Sequence, residues 1–144
     1  ILIFTDFCTL PPDDQAMLLK NIHNALKPGG KFVFDVVNTN FAEPGEEKSS
    51  WAAHQGGFWR NGPHLLLTNT YYYSTEKVSL DQFTVIEESG DTQIYRFYTK
   101  RYSDSEISSQ LVTAGFGSVN CHHGILPDSE LYRSSDITFC VAVK

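Results

Sequence analysis

The order of apolar runs in the first 37 residues constrains the fold of this chain most strongly. Residues 1–4 (ILIF) and 31–37 (KFVFDVV) are almost continuously apolar, which is typical of strands covered on both faces in a parallel sheet. Between them, Leu18, Ile22 and Ala25 recur at helical spacing and predict an amphipathic helix. A strand, a helix and a strand joined by short connections predict a βαβ unit with a right-handed crossover.

Length and composition indicate how many domains the chain forms and whether it enters a membrane. The 144 residues are 41% apolar and 19% charged, values that predict one compact domain over residues 1–144. No apolar run has the length of a membrane span and no basic leader begins the chain, so we expect a soluble protein that does not bind membranes.

Cys8, Cys121 and Cys140 cannot all pair and lack CxxC spacing, which predicts a reducing, cytoplasmic location and no metal site.

The charge balance bears on the class of partner. Eleven Lys and Arg residues against seventeen Asp and Glu residues give a formal net charge of −6. A phosphate backbone would be repelled by this surface, because binding to it depends on clustered cations. We therefore expect no nucleic-acid partner.

A second, antiparallel sheet is predicted over residues 51–102, where aromatic residues are dense. Three β-like runs alternate there with turn residues and predict a meander. These runs are residues 64–73, 78–86 and 93–102. A short fourth strand is predicted at residues 57–60, and the polar residues 38–50 are predicted to form the loop that leads into this region.

The chain returns to an α/β pattern after residue 102. Ser103 and Glu106 have capping-box spacing, in which each side chain binds the other residue's backbone amide, and they predict the start of a helix. Gly115 predicts its end. Residues 118–122 and 137–143 are then predicted as two further strands of the first sheet.

Four segments in this order resemble the class I S-adenosylmethionine-dependent methyltransferases, which have a Rossmann-like domain. They are ILIFTDF, LLKNIHNALKPGGKFVFDVVN, YTKRYSDSEISSQLVTAGF and ITFCVAVK. GGFWRNGPHLLL followed by YYYS is similar to a subgroup that carries an extra antiparallel sheet over the active site. The resemblance implies an α/β fold: part of a Rossmann-like methyltransferase sheet, its last strand antiparallel to the others, with an inserted antiparallel meander at residues 51–102.

The resemblance covers only the second half of such an enzyme. It implies that the glycine-rich loop and the acidic ribose-binding residue, which hold most of the cofactor S-adenosylmethionine, would precede Ile1. We therefore expect the carboxyl-terminal part of a methyltransferase, whose 144 residues alone bind the cofactor weakly and are inactive. We also expect homo-oligomers, because an apolar strand at Ile1 leaves an unpaired sheet edge.

The resemblance implies a cofactor site at the carboxyl end of the first predicted strand. Thr5, Asp6 and Phe7 match the stretch that lines the methionine end of the cofactor in the family, and open α/β sheets bind ligands at this position. In the alternative interpretation, Asp6 caps a turn and Phe7 packs against the neighbouring helix.

Three residues are candidates for binding the methyl acceptor. Asp35 is the only charge in KFVFDVV after Lys31, and a buried carboxylate needs hydrogen-bond donors. It would either orient an amine or hydroxyl acceptor, or accept hydrogen bonds from loop amides without taking part in chemistry. Trp51 and Trp59 supply aromatic surface for an acceptor or a sulfonium cation, with core packing as the alternative. No residue stands out as a catalytic base.

These implications predict transfer of a methyl group from S-adenosylmethionine to a small-molecule acceptor. In-line displacement at the sulfonium carbon depends mainly on the alignment of the two reactants, so a closed pocket supplies most of the rate. The competing hypothesis is a non-catalytic module, in which the meander binds a ligand or a second subunit. Binding of S-adenosylmethionine distinguishes the two hypotheses.

Overall fold

A computed structural model describes residues 1–41, 47–128 and 133–144. The chain divides into two compact units, one formed by Ile1–Ala42 and Lys100–Lys144, the other by Glu43–Thr99. Two antiparallel sheets and two α-helices confirm the α/β class. That the second unit is an insertion into a Rossmann-like sheet, and that residues 1–144 form a single domain, stay predictions.

Most of the predicted elements are present. In chain order they are α1 (Pro12–Ala25), β1 (Lys31–Val37), β2 (Lys48–His54), β3 (His64–Tyr73), β4 (Val78–Glu87), β5 (Thr92–Lys100), α2 (Asp104–Thr113), β6 (Ser118–His123) and β7 (Ile137–Val143). The bounds of β1, β3 and β7 are those the sequence predicts, and those of β4, β5 and β6 differ only at their ends. No helix among the described residues is long and apolar enough to cross a membrane.

The sheet of the first unit has the strand order β1-β7-β6. β7 runs antiparallel to β1, with Lys31 opposite Val143, as predicted. The predicted strand at residues 1–4 is wrong in extent, because only Leu2 pairs with β1, through a parallel bridge to Phe34. Phe4 and Thr5 turn the chain away with positive φ angles of 68° and 59°, and a short 3-10 helix, Asp6–Thr9, follows.

The core of the first unit lies between this sheet and the two helices. Phe32, Phe34 and Val36 alternate along β1 and are buried with Leu19 of α1 and Leu111 of α2. The rings of Phe32 and Phe34 stack with centroids 4.6 Å apart. Because strand residues alternate between faces, the residues between these three on β1 lie on the opposite face of the sheet.

A polar contact inside this core was missed by sequence reasoning. Gln15 of α1 is 2% exposed, and its side-chain amide donates to the carbonyls of Phe7 and Leu10 at 3.0 Å. The Tyr102 hydroxyl donates to Gln15 Oε1 at 2.7 Å. Each buried polar group thereby has a partner, as burial requires. Gln15 therefore connects the chain before α1 to the segment before α2.

The second unit is a sheet with the strand order β2-β3-β4-β5. The predicted meander is present, but the predicted strand at residues 57–60 is wrong, because this stretch is a turn closed by a 2.8 Å bond from the Gly57 amide to the Arg60 carbonyl. The fourth strand is β2, which pairs with β3 and whose first three residues, 48–50, lie within the predicted loop. The side chains of β2 are mostly exposed, so the strand lacks the apolar alternation that sequence reasoning uses. Residues 42–46 of that loop lie outside the described residues.

Candidate functional site

A surface cavity of about 520 Å³ lies at the carboxyl end of β1 in the first unit. It occupies the face of the sheet opposite the two helices. Its lining is apolar and aromatic apart from one carboxylate and one hydroxyl, a composition typical of small-molecule sites. The lining residues are Ile3, Phe4, Thr5, Asp35, Val37, Phe41, Leu126, Ile137 and Phe139.

Asp35 is the charged residue of this cavity and is only 7% exposed. Its Oδ1 accepts a hydrogen bond from the Thr5 amide at 2.9 Å. Burial raises the pKa of the Asp35 carboxyl above its ordinary value, and hydrogen bonds from the backbone of Thr5 and Phe4 oppose this rise. Asp35 thus has the backbone partners that one of the two interpretations predicted, and it also faces a cavity.

The contact with Asp35 explains an unusual backbone at the cavity wall. Phe4 and Thr5 are consecutive non-glycine residues in the left-handed region, which costs about 1–2 kcal/mol per residue. The Asp35 carboxylate accepts from the Thr5 amide within this turn and so helps to offset that cost. The carboxylate therefore positions the turn that forms one wall of the cavity.

The three predicted cofactor residues have different environments. Thr5 lines the cavity and is partly buried. Asp6 is exposed in the 3-10 helix. Phe7 is 0% exposed, and its ring packs against Phe34 and Tyr102 at centroid distances of 5.1 and 5.9 Å. In this conformation the Phe7 side chain has no surface to offer a ligand, and its two described ring contacts are with β1 and with Tyr102, neither of which belongs to a helix.

The two predicted tryptophans belong to the second unit and lie on opposite faces of its sheet. Trp51 of β2 is 75% exposed and lies opposite Leu67 of β3. The Trp59 ring packs on Phe83 of β4 at 4.9 Å. Phe83 lies opposite Thr68, the neighbour of Leu67 on β3, so it faces the other side. The two side chains therefore cannot contact one ligand on the same face of this sheet.

Trp59 is the centre of an aromatic cluster on its face. Its ring lies 5.0 Å from Tyr95 and 6.5 Å from Phe97 of β5. Arg60 next to it forms an ion pair with Glu87 and donates to the Tyr95 hydroxyl at 3.1 Å. Trp59 therefore packs against aromatic side chains on this face and stays partly exposed, whereas Trp51 has an exposed ring.

Sequence reasoning missed the aromatic and aliphatic walls of the cavity. Phe41, Leu126 and Phe139 come from three segments far apart in the chain. The guanidinium of the buried Arg101 lies over the ring of Phe41, with its central carbon 5.6 Å from the ring centroid. Phe41 and Leu126 lie outside helices and strands, where apolar residues carry no periodic pattern. Phe139 belongs to the apolar run of β7, which predicts a strand but does not identify a pocket residue.

The polar residues at the end of β6 form a hydrogen-bond chain. His123 Nε2 lies 2.9 Å from Asp104 Oδ2, and its Nδ1 lies 3.1 Å from the Thr138 hydroxyl. The side-chain amide of Asn38 donates to the same hydroxyl at 3.2 Å. Thr138 is 1% exposed, so the chain connects secondary-structure elements without presenting a nucleophile. Within residues 1–41, 47–128 and 133–144, no group of three or more side chains is arranged to hold a metal ion.

Comparison with known sequences gives no family. No protein-family model matches this chain, and no curated protein matches it either.

Solved structures of methyltransferases do share its fold. The CcbJ methyltransferase from Streptomyces caelestis is 18% identical, with a TM-score of 0.57 and 97% of this chain covered. An S-adenosylmethionine-dependent methyltransferase from Clostridium acetobutylicum is 11% identical, with a TM-score of 0.64 and 99% covered. CalS10 from Micromonospora echinaspora, an amino pentose methyltransferase with bound S-adenosylmethionine, is 13% identical, with a TM-score of 0.54 and 98% covered.

The chain spans a little over half the length of each of these structures: 54%, 57% and 56%. At such low sequence identity the likeness concerns the fold. The fold of this chain is therefore similar to that of S-adenosylmethionine-dependent methyltransferases, to about half of whose length it corresponds.

Proposed function

We propose that this chain is part of an S-adenosylmethionine-dependent methyltransferase that acts on a small-molecule acceptor. The observation that carries the proposal is the apolar cavity at the carboxyl end of β1, which holds the buried carboxylate of Asp35 within a methyltransferase-like fold. Carboxyl ends of strands are the ligand-binding edge of open α/β sheets. A small acceptor is supported by the relative that acts on an amino pentose.

The cavity lining suits a ligand with a positively charged sulfur. The Asp35 carboxylate supplies negative charge, and the rings of Phe4, Phe41 and Phe139 supply aromatic surface that attracts cations. We assign Thr5 and Asp6 to the binding of the methionine end, with Phe7 supporting them from the core. When bound, S-adenosylmethionine supplies an activated methyl group on its sulfonium.

The residues of the chain orient the acceptor and exclude water. One oxygen of Asp35 is engaged by the Thr5 amide, and we assign the remaining acceptor capacity of the carboxyl to an amine or hydroxyl of the substrate. The aromatic walls restrict that substrate to one orientation, which favours in-line attack. Trp51 and Trp59 lie on opposite faces of their sheet, so an acceptor bound on one face contacts only one of the two rings.

Cofactor binding tests the proposal. The experiment uses the longest natural form of the protein that carries this sequence, because the chain spans only 54–57% of the length of the similar structures. Calorimetric titration with S-adenosylmethionine should show binding, and Asp35→Asn should weaken it about tenfold, the effect of losing about 1.4 kcal/mol. Asp14→Asn, at an exposed position of α1, is the matched control and should leave the affinity unchanged.

The contrary outcomes are distinct. A protein that releases no titration heat up to about 1 mM S-adenosylmethionine would contradict the cofactor assignment and favour the non-catalytic module. Normal binding by Asp35→Asn would refute the role of Asp35 alone. Release of S-adenosylhomocysteine with an amine or hydroxyl acceptor would identify the acceptor class.

A further inference from the structure

Two of the three cysteines lie directly opposite each other on neighbouring strands. Cys121 of β6 is paired in register with Cys140 of β7, although 18 residues separate them in sequence. All three cysteines are free thiols. The pair therefore has the topology of a cross-strand disulfide in its reduced form.

The hydrogen-bond pattern of β7 shows which kind of pair this is. The Lys144 amide donates to the Gly30 carbonyl at 3.0 Å, toward β1, and the Val143 carbonyl accepts from the Gly117 amide at 2.8 Å, toward β6. Successive residues of a strand direct their backbone groups alternately to the two neighbouring strands. Cys140 lies four residues before Lys144, so its backbone N–H and C=O point to β1, as those of Lys144 do. Cys140 and Cys121 thus form a non-hydrogen-bonded pair.

Such pairs suit a disulfide. Their Cα atoms lie about 4.5 Å apart and their side chains are closer than in hydrogen-bonded pairs. This separation falls within the range of about 4.4–6.8 Å found in disulfides. Burial raises the pKa of the Cys140 thiol, and the neighbouring Cys121 thiol raises it further, as expected for adjacent side chains.

The two thiols differ in access, which sets the order of reaction. Cys140 is 0% exposed, whereas Cys121 is partly exposed and its Sγ lies 3.8 Å from the Ser108 hydroxyl. A hydroxyl at this position is able to donate to a thiolate. A reagent in solvent therefore reaches Cys121 first, and Cys140 is placed to react with the product.

We propose that Cys121 and Cys140 are an oxidation site, at which a small disulfide such as oxidised glutathione converts the two thiols into a cross-strand disulfide. The inference is independent of the proposed function. The segment between the cysteines carries Leu126 and Phe139 of the cavity lining, so the bond would close a loop that includes part of this wall.

The reaction balances in two steps of thiol exchange. The Cys121 thiolate attacks one sulfur of glutathione disulfide, forming a mixed disulfide and releasing one glutathione thiolate. Cys140 then loses its proton and attacks Cys121 Sγ, forming the intramolecular bond and releasing the second glutathione thiolate. The two cysteines lose two electrons and two protons, and glutathione disulfide takes them up as two thiols.

The test is oxidation of the reduced chain with glutathione disulfide, followed by alkylation of the remaining thiols and peptide mass mapping. The expected product is a linked pair of peptides containing Cys121 and Cys140, two hydrogen atoms lighter than the reduced pair. Cys8 should stay reduced, because it is 1% exposed and its Sγ accepts from the Val37 amide at 3.2 Å, and it should therefore be alkylated once the chain is denatured. The denaturation midpoint of the oxidised chain should rise, since the bond closes a loop in the unfolded state.

Variants separate the two roles. Cys140→Ala should stop at the mixed disulfide, with glutathione retained on Cys121. Cys121→Ser should leave Cys140 as a thiol under the same conditions. Cys8→Ser is the matched control and should form the same linked peptides as the unmodified sequence.

Three results would overturn the proposal. One is a native chain that stops at the mixed disulfide, since Cys140 would then not resolve it. Another is a link between Cys8 and Cys140. The third is a chain whose three cysteines all stay reduced at a glutathione disulfide concentration that oxidises the unfolded chain. These readouts come from the native sequence and remain valid even if a variant fails to fold.

Discussion

Asp35 shows how the surroundings of one residue link the candidate site to folding. Burial raises its pKa above the reference value of 3.8. The folded protein therefore binds this proton more tightly than the unfolded chain does, and stability decreases with pH wherever that difference holds. The favourable contribution of the protonated carboxyl is complete below pH 3.8 and is lost as pH rises through the raised value.

We predict that Asp35→Asn reduces this pH dependence. Asparagine keeps an oxygen that accepts from the Thr5 amide but cannot ionise, so the decrease in stability above pH 3.8 should be smaller in the variant. Urea denaturation of both proteins from about pH 3 to pH 7 measures the difference. Asp14→Asn is the control with an exposed carboxyl. Curves for Asp35→Asn and the parent that stay parallel across this range would contradict the prediction.

At the scale of elements, α2 shows how a local motif determines a helix start. The Ser103 hydroxyl accepts from the Glu106 amide at 3.3 Å, and Glu106 Oε2 accepts from the Ser103 amide at 2.8 Å. Both halves of the predicted capping box are therefore formed. The helix then places Ile107 and Leu111 in the core of the first unit.

We predict that Ser103→Ala destabilises the first unit by about 1 kcal/mol, within the usual range of about 0.5–2 kcal/mol for losing an N-cap side chain. The helix would keep its apolar contacts but leave the Glu106 amide without its side-chain partner. Ser109→Ala is the control, because Ser109 is exposed in the helix interior, where alanine is a better helix former. A chemical denaturation midpoint that is the same for Ser103→Ala and the parent would show that the cap contributes nothing.

At the scale of the whole molecule, large apolar side chains are exposed in both units. Ile1 and Phe4 of the first unit are 92% and 75% exposed, and Trp51 and Phe58 of the second unit are 75% and 90% exposed. Monomeric soluble proteins seldom leave large contiguous apolar patches in water. The exposed residues therefore favour association, against which the net charge of −6 acts by repulsion.

We predict that the chain self-associates at micromolar concentration. Sedimentation equilibrium should give a mass that exceeds 16.2 kDa and rises with protein concentration. Added sulfate should increase the association, because it strengthens apolar burial and screens the charge. A single species at 16.2 kDa at every concentration would contradict the prediction.

The sequence by itself determined the elements whose signals are local. Pro12 at the start of α1, Gly29 after its end, the capping box of α2, the apolar runs of β1 and β7 and the turn-bounded run of β3 act through sterics and hydrogen bonds within a few residues. The likeness to methyltransferases was also visible in these segments, and the solved structures support it at the level of fold. Asp35 was identifiable because a charge in an apolar strand stands out.

Only the tertiary structure decided how distant segments meet. β2 forms because β3 offers it an edge, although its own sequence has little apolar alternation. The turn at Phe4 and Thr5 depends on a carboxylate 30 residues away. The cavity walls, the opposite faces of Trp51 and Trp59 and the pairing of Cys121 with Cys140 depend on strand register, which is set by packing of the whole sheet and is not encoded in any short segment.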